Sequence, residues 1–247
     1  MSDTEIVTVR CLRDNYAYLL HANGQTALFD APEAAPILAA LSERGWQLDQ
    51  ILLTHHHDDH IGAVPALLAA TGASVTGASA DAHRLPSLDR AVSPDDTITA
   101  AGLSTQVIDV SGHTVGHVAF YVPGAEAAFT GDSLMALGCG RLFEGDAAMM
   151  WDSLQRLNAL PAETLICSGH DYCAGNGAFA LSVDSDNAEL RARLDAVATA
   201  ERPCAPATLA EERRTNPFLR ASALASGIGA DTAAEAFAKL RAMKDNF

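Results

Sequence analysis

The sequence contains no apolar run near the ~20 residues that a bilayer-spanning helix needs, so no membrane partner is expected. Its first residues, Met1-Ser2-Asp3-Thr4-Glu5, are acidic and lack the basic and apolar regions of a secretory leader. A cytoplasmic location is the resulting expectation. The five cysteines, Cys11, Cys139, Cys167, Cys173 and Cys204, include no C-x-x-C pair, and an odd, scattered set argues against a disulfide framework or a structural zinc site. Reduced thiols are expected, with Cys139 and Cys173 as small buried side chains. Basic runs are absent too: 16 Lys and Arg stand against 31 Asp and Glu, a net charge of −15. Such a surface repels nucleic acid. It would also repel a small anionic substrate, unless bound cations and a few placed basic side chains reverse the local field. No internal repeat and no low-complexity tract occur.

What is present is an ordinary globular balance, 49% apolar and 19% charged, over 247 residues. That length holds one large core with a small appendage, or a single large domain. The most distinctive stretch is Leu52-Leu53-Thr54-His55-His56-His57-Asp58-Asp59-His60-Ile61-Gly62. It follows Ile51 to Leu53, which reads as a buried strand, so its polar residues sit at a strand's carboxyl end, where α/β folds present chemistry. On an extended chain, His55, His57 and Asp59 share a face while His56 and Asp58 point away. Four donors this close, His55, His57, Asp59 and His60, could not all reach one tetrahedral ion without strain, so a second ion is implied.

The pattern H-x-H-x-D-H formed here resembles the signature of the metallo-β-lactamase superfamily. Three later segments match further boxes in the family's order: Ser111-Gly112-His113, Phe129-Thr130-Gly131-Asp132 and Ser168-Gly169-His170. The resemblance implies that His55, His57 and His113 hold one ion and Asp59, His60 and His170 the other, with Asp132 bridging them. Zinc suits these nitrogen-rich donors first, and iron or manganese would also accept them. His117 is expected to steady the His113 loop; Asp58, off the ligand face, either orients a ligand or does not take part. The fold implied is α/β, the four-layer αββα sandwich of that superfamily.

Taken in order, strands are expected at Ile6–Leu12, Asn15–His21, Thr26–Phe29, Ile51–Leu53, Ser74–Thr76, Thr97–Thr99, Leu103–Val110, Val118–Val122, Ala127–Thr130 and Thr164–Cys167. Asn23-Gly24 marks a hairpin. Helices are expected from Ala34 to Arg44, ending at Gly45, from Gly62 to about Thr71, and from Ala147 to Leu160. Leu134 to Gly145 reads as a Gly-rich loop. Beyond Gly175 strand signals disappear, and helices are expected over Asn187–Ala200 and Asp231–Met243. These are joined through Glu201-Arg202-Pro203-Cys204-Ala205-Pro206 and Thr215-Asn216-Pro217. The division expected is a catalytic domain over residues 1–173 and a small helical domain over 174–247.

Gly138-Cys139-Gly140-Arg141-Leu142-Phe143-Glu144-Gly145, Gly169-His170-Asp171-Tyr172, Thr215-Asn216-Pro217-Phe218 and Arg241-Ala242-Met243-Lys244-Asp245-Asn246-Phe247 resemble the glyoxalase II family, the hydroxyacylglutathione hydrolases. That resemblance covers essentially the whole chain. It implies hydrolysis of S-(2-hydroxyacyl)glutathione, chiefly S-D-lactoylglutathione, to D-lactate and glutathione, the step that completes methylglyoxal detoxification. The nucleophile implied is a hydroxide held between two divalent ions, with Asp59 and Asp132 as the catalytic carboxylates. Glutathione is expected to be held by Arg141, Phe143, Tyr172, Arg241 and Lys244. Arg241 and Lys244 lie three apart on a predicted helix, hence on one face, which answers the charge problem posed by an anionic substrate. The chain departs from the family where lysine, tyrosine, glutamate and threonine are common and Arg141, Phe143, Asp171 and Cys173 stand instead. Two rivals are a glutathione persulfide dioxygenase with one iron and a non-catalytic metal-binding relative. The full second set of ligands and the basic tail favour the hydrolase, as a monomer or weak oligomer.

Overall fold

The computed structural model describes residues 4–200 and 203–247. Residues 1–3 of the acidic N-terminus, and Glu201 and Arg202 of the proline-containing connection, lie outside the described residues. The chain divides into two compact units, Met1–Asp109 with Gly116–Gly131, and Val110–Val115 with Asp132–Phe247.

In the first unit a sheet runs in sequence order: β1 (Glu5–Cys11), β2 (Asn15–Ala22), β3 (Gln25–Phe29), β4 (Gln50–Leu52), β5 (Ser74–Ala78) and β6 (Arg90–Val92). The pairs β1–β2 and β2–β3 are antiparallel, joined by short turns, and pairing is parallel from β3 onward. Parallel neighbours need crossovers. Helix α1 (Ala34–Arg44) supplies the first, and α2 (Asp58–Ile61) with α3 (Val64–Thr71) the second. Gly45 ends α1 in the left-handed conformation, φ 68°, as its position after Arg44 predicts. Ile37 and Leu41 of α1 and Val64 and Leu67 of α3 bury against Leu28, Ile51 and Val75 of the sheet. Four antiparallel strands of a second sheet follow: β7 (Thr97–Ala100), β8 (Leu103–Asp109), β9 (Val118–Val122) and β10 (Ala127–Gly131). The sheets meet through aromatic rings, with Phe29 stacked on Phe129 at 3.5 Å and tilted against Phe120 at 5.9 Å.

The second unit opens on a small hairpin, β11 (Leu134–Met135) and β12 (Gly138–Cys139), inside the stretch expected to be irregular. Strands this short have no periodicity to read. Then come α4 (Ala147–Asn158), capped by Asp146, β13 (Leu165–Ser168), α5 (Cys173–Val183) and α6 (Ala188–Ala198). The tail is not free of strand, because β14 (Ala207–Thr208) pairs antiparallel with β13. Helices α7 (Leu209–Thr215), α8 (Ala221–Leu224) and α9 (Ala233–Asp245) complete the chain. Helix α5 was not expected from sequence, since Gly175 and Gly177 lie inside it and glycine weakens a helix. Phe218 centres this unit's core, 5.7 Å from Phe237 and 6.0 Å from Phe179. Among the described residues no helix is long and apolar enough to cross a membrane.

The five cysteines are not all thiols. Cys173 and Cys204 form a disulfide, with Cα atoms 6.1 Å apart, while Cys11, Cys139 and Cys167 are free and buried. The pair is separated by 31 residues, so no local spacing announces it. Closing a loop of that length removes about 4 kcal/mol of chain entropy from the unfolded state. Both members are buried, as expected of Cys173.

Candidate metal centre

In the first unit the ligand-rich stretch leaves β4 and is extended only as far as His57. At Asp58 the chain turns into α2, so Asp59 and His60 are presented by a helical turn, not by an alternating strand. The expected sharing of one extended face therefore stops at His57. The backbone after β4 is held by Asp30, a buried carboxylate at the end of β3. Asp30 accepts hydrogen bonds from Thr54 N at 2.8 Å, Thr54 Oγ1 at 2.8 Å and His60 Nδ1 at 2.9 Å.

These contacts assign tautomers. Thr54 Oγ1 gives its proton to Asp30, so it accepts from His55 Nδ1 at 3.0 Å. The lone pair of His55 is then on Nε2, 3.1 Å from His57 Nδ1. By the same logic His60, donating from Nδ1 to Asp30, carries its lone pair on Nε2, 4.0 Å from Asp59 Oδ2. Asn15 Nδ2 donates to Asp59 Oδ2 at 3.1 Å and to Asp59 O at 3.0 Å, fixing that carboxylate. His56, which alternates with the donors His55 and His57, meets the fully buried Asp81 at 2.8 Å, which Arg84 also grips at 2.6 Å. Asp58 is exposed. His117 stacks flat on the His55 ring at 4.6 Å.

In the second unit the donors come from three separate segments. The His113 segment is tied down by Ser153 Oγ donating to Ser111 O at 2.6 Å and Val115 N donating to Glu144 at 2.7 Å. His113 Nδ1 donates to Arg141 O at 2.7 Å, which again leaves the lone pair on Nε2. That nitrogen lies 3.4 Å from Asp132 Oδ2, and His170 Nε2 lies 3.4 Å from the same oxygen. Gly140 makes this approach possible, because a Cβ there would fall 1.9 Å from Asp132 O.

Lone-pair nitrogens aimed at a carboxylate oxygen repel it unless a cation lies between them. Donors held about 2.0–2.1 Å from a tetrahedral ion are themselves about 3.3 Å apart. The separations of 3.1 Å and 3.4 Å in the two units are of this size. The residues therefore fit a divalent metal ion.

Around these donors the second unit places the residues expected to hold a substrate. Phe143 is exposed and meets His113 edge-on at 5.2 Å, and Tyr172 stacks on His170 at 4.6 Å. Arg141 is exposed, with Nε 3.5 Å from Asp245. Arg241 is placed differently from a solvated helix cation: it is buried, and donates to Cys139 O at 2.9 Å and Asp245 Oδ1 at 2.9 Å. Its Nε has no acceptor among the described residues. Lys244, half-buried, donates to Gly175 O at 2.9 Å and lies over Phe179 and Phe247. Desolvation, then the Arg241 and Arg141 charges, hold its amine below the usual lysine range. Burial pushes the nearby Cys139 thiol up to about 11, so it is an inert side chain and not a nucleophile.

Residues 12–170 match the model of the metallo-beta-lactamase superfamily, and residues 171–247 match that of the hydroxyacylglutathione hydrolase C-terminus. This chain belongs to the metallo-β-lactamase superfamily, in its hydroxyacylglutathione hydrolase family. It is 56% identical to a hydroxyacylglutathione hydrolase of Jannaschia sp. (strain CCS1), with both chains covered in full. A second hydroxyacylglutathione hydrolase, from Fuscovulum blasticum, is 57% identical with 98% of each chain covered. Among solved structures, ETHE1 from Myxococcus xanthus superposes with a TM-score of 0.67 at 27% identity, covering 97% of this chain and 89% of its own. TTHA1623, solved in a di-iron-bound form, gives 0.64 at 28% identity, covering 87% of this chain and 100% of its own. The α/β metallo-β-lactamase fold and the helical C-terminal region implied by the motifs are thus present. As a member of this superfamily with these histidine and aspartate clusters, the chain binds divalent metal.

Sequence reasoning did not find the supporting shell of this metallo-β-lactamase site. Asp30 stands just past the strand expected over Thr26–Phe29, and Asn15, Thr54 and Asp81 belong to no motif. One signal was available for Asp30: a carboxylate at the carboxyl end of a strand adjacent to the one that delivers the histidines.

Proposed function

We propose that the chain hydrolyses the thioester of S-(2-hydroxyacyl)glutathione, S-D-lactoylglutathione foremost, releasing the hydroxy acid and glutathione. The observation that carries this reading is the pair of exposed aromatic side chains, Phe143 and Tyr172, leaning directly on His113 and His170. A glutathione arm laid along them brings its thioester to the ligand histidines. The donors of both units lie inside the one superfamily match, which supports their serving one centre. On this reading His55, His57 and His113 would hold one ion and Asp59, His60 and His170 the second, with Asp132 as a ligand that would serve both.

Bound divalent ions supply a Lewis acid for the carbonyl and a water ionised near neutral pH. The chain's own residues do the rest. Asp30 and Thr54 keep His60 and His55 in the ligating tautomer, and Arg141 O does the same for His113. Asp59, fixed by Asn15, orients the attacking water. Lys244 and Arg141 offset the glycine carboxylate, and Arg241, buried beneath them, adds its charge while holding the 139–140 loop. Glutathione's sulfur, with a pKa near that of free cysteine at about 8.5, leaves without help from an acid. Residues 1–173 thus supply the chemistry and the aromatic rest for glutathione, and 174–247 add the basic side chains Arg241 and Lys244 to the grip. Zinc is the metal proposed, and the enzyme is a cytoplasmic monomer or weak oligomer.

The test is a steady-state assay on S-D-lactoylglutathione, a lactone and a β-lactam, with metal content measured on the same sample. Turnover of the glutathione thioester alone, by protein carrying up to two ions, is the expected result. Turnover of the lactone or the β-lactam in its place would refute the substrate assignment.

A further inference from the structure

The turn of the β11–β12 hairpin is buried, and side chains from the helical tail take up its backbone groups. Leu137 N donates to Glu212 at 2.9 Å, and Asn176 Nδ2 donates to Ala136 O at 3.0 Å. Asn216 Nδ2 donates to Met135 O at 3.0 Å and to Gly138 O at 2.9 Å. Gly138 lets Asn176 come this close, since a Cβ there would fall 2.4 Å from its Nδ2. Leu137 itself is left-handed, φ 57°, a conformation that leucine disfavours. Such a residue persists only where its surroundings over-determine it.

Glu212 is the hub of that arrangement. It is fully buried, and three donors converge on its two oxygens: Leu137 N, Asn216 Nδ2 at 3.0 Å and Arg193 Nη2 at 2.5 Å. A carboxylate, an acceptor at both oxygens, satisfies all three. Arg193, buried as well, also donates to Thr215 Oγ1 at 2.7 Å and to Cys204 O at 3.3 Å. Stability alone does not account for such a pair, because well-packed apolar residues in its place are commonly as stable or more so. What the pair supplies is an acceptor held at one point in the tail. The hairpin it fixes has unequal ends. The earlier end, at Asp132 and Ser133, continues directly from β10. The later end passes from Cys139 through Gly140 into an irregular stretch that carries Arg141 and Phe143 before α4 begins.

We propose that Glu212 is a positioning residue for substrate binding: through Leu137 N it sets the hairpin from which Arg141 and Phe143 reach the glutathione arm. This rests on the thioesterase reading above. The cost of losing it falls on the peptide arm and not on the reacting carbonyl, because the Asp132 end is laid down by a strand of its own.

Glu212→Gln tests this with side-chain volume kept. It turns one oxygen into a donor, so an amide NH2 faces either Arg193 or the Leu137 and Asn216 donors. Adding Arg193→Leu removes that conflict, and the glutamine carbonyl returns to Leu137 N with the ion pair gone. Both variants and wild type are assayed on S-D-lactoylglutathione and on a small acetyl thioester that lacks the peptide arm, with metal content and Tm read on the same samples. In Glu212→Gln, KM for the first substrate should rise roughly tenfold, with kcat within about twofold, metal unchanged and the second substrate unaffected. In the double variant KM should return to within about threefold of wild type, whatever its Tm. Amide exchange at Leu137 should follow KM, fast in the single variant and slow in the double. An unchanged KM in folded Glu212→Gln overturns the proposal. So does a parallel loss on both substrates, or a KM that follows Tm instead of the Leu137 amide, the marks of a merely structural pair. Should Glu212→Gln fail to fold, Asn216→Ala, which frees Met135 O and Gly138 O and leaves the ion pair whole, faces the same criteria. If metal-loaded wild type does not turn over the glutathione thioester at all, the functional reading fails and takes this inference with it. Normal wild-type turnover with an unaltered KM in the variants sinks this inference alone.

Discussion

The two units hold their donors by opposite means. In the first, His55, His57, Asp59 and His60 lie within six consecutive residues, and buried carboxylates aim or brace the segment: Asp30 through Thr54 and His60, Asp81 through His56. In the second, His113, Asp132 and His170 come from distant segments, aimed by a backbone carbonyl and by loop contacts, and flanked by aromatic rings. A contiguous set of ligands needs charge to orient it, because its backbone is already fixed by one strand and one turn. A dispersed set needs the whole unit folded around it. Loss of metal and loss of substrate grip should therefore separate by unit, except at the second unit's own ligands, His113, Asp132 and His170.

That exception gives the largest expected effect. Asp132→Ala should cut kcat by at least about a thousandfold and lower the bound metal, read by elemental analysis beside the assay. Next comes Asp30→Asn, which keeps the acceptor for Thr54 but weakens the charged partner of His60. A supporting carboxylate of this kind is worth about 10–100-fold in metal affinity or activity. Competition with a chelator measures it, and an unchanged affinity would remove the contrast drawn between the units.

Substrate-side changes should be smaller and should leave metal content alone. Lys244→Ala should raise KM about tenfold with kcat nearly constant, and Arg241→Ala should raise KM while also lowering Tm, because it frees the Cys139 and Asp245 contacts. A fall in kcat without a change in KM would place neither residue on the glutathione arm. The smallest effect is one of pH. Lys244 is held below the usual lysine range by desolvation and by Arg241 and Arg141, so its charge is present at neutral pH and lost as pH rises through that lowered value. KM should climb in the alkaline limb before the ~10.4 of an ordinary lysine, and Lys244→Arg should flatten that climb.

The same contrast governs what could be read in advance. The first unit's site was legible because its donors are adjacent and their strand, Ile51 to Leu53, is a plain apolar run. Helix α1 could be placed to the residue, since Gly45 and the apolar spacing of Ile37 and Leu41 agree. The second unit's ligands were found only as short boxes following a family order, since nothing local in Gly112-His113-Thr114 marks a ligand. What escaped notice was set by packing across sequence: the four-residue turn that ends the extended run at His57, the two-residue strands β11, β12 and β14, and the pairing of Cys173 with Cys204. Burial of Arg241 was hidden for the same reason, because a cation near the end of a helix reads as solvated until its carbonyl partners are known.

Glu212 bears on how this chain could be recombined. The match to the superfamily and the match to the C-terminal family meet at residues 170 and 171, which invites treating the halves as interchangeable modules. Yet the carboxylate that satisfies Leu137 N belongs to the later half and the amide to the earlier one. A chimaera joined at that seam would inherit an orphaned donor in the hairpin beside the reaction centre unless the incoming tail carried its own acid at the matching place.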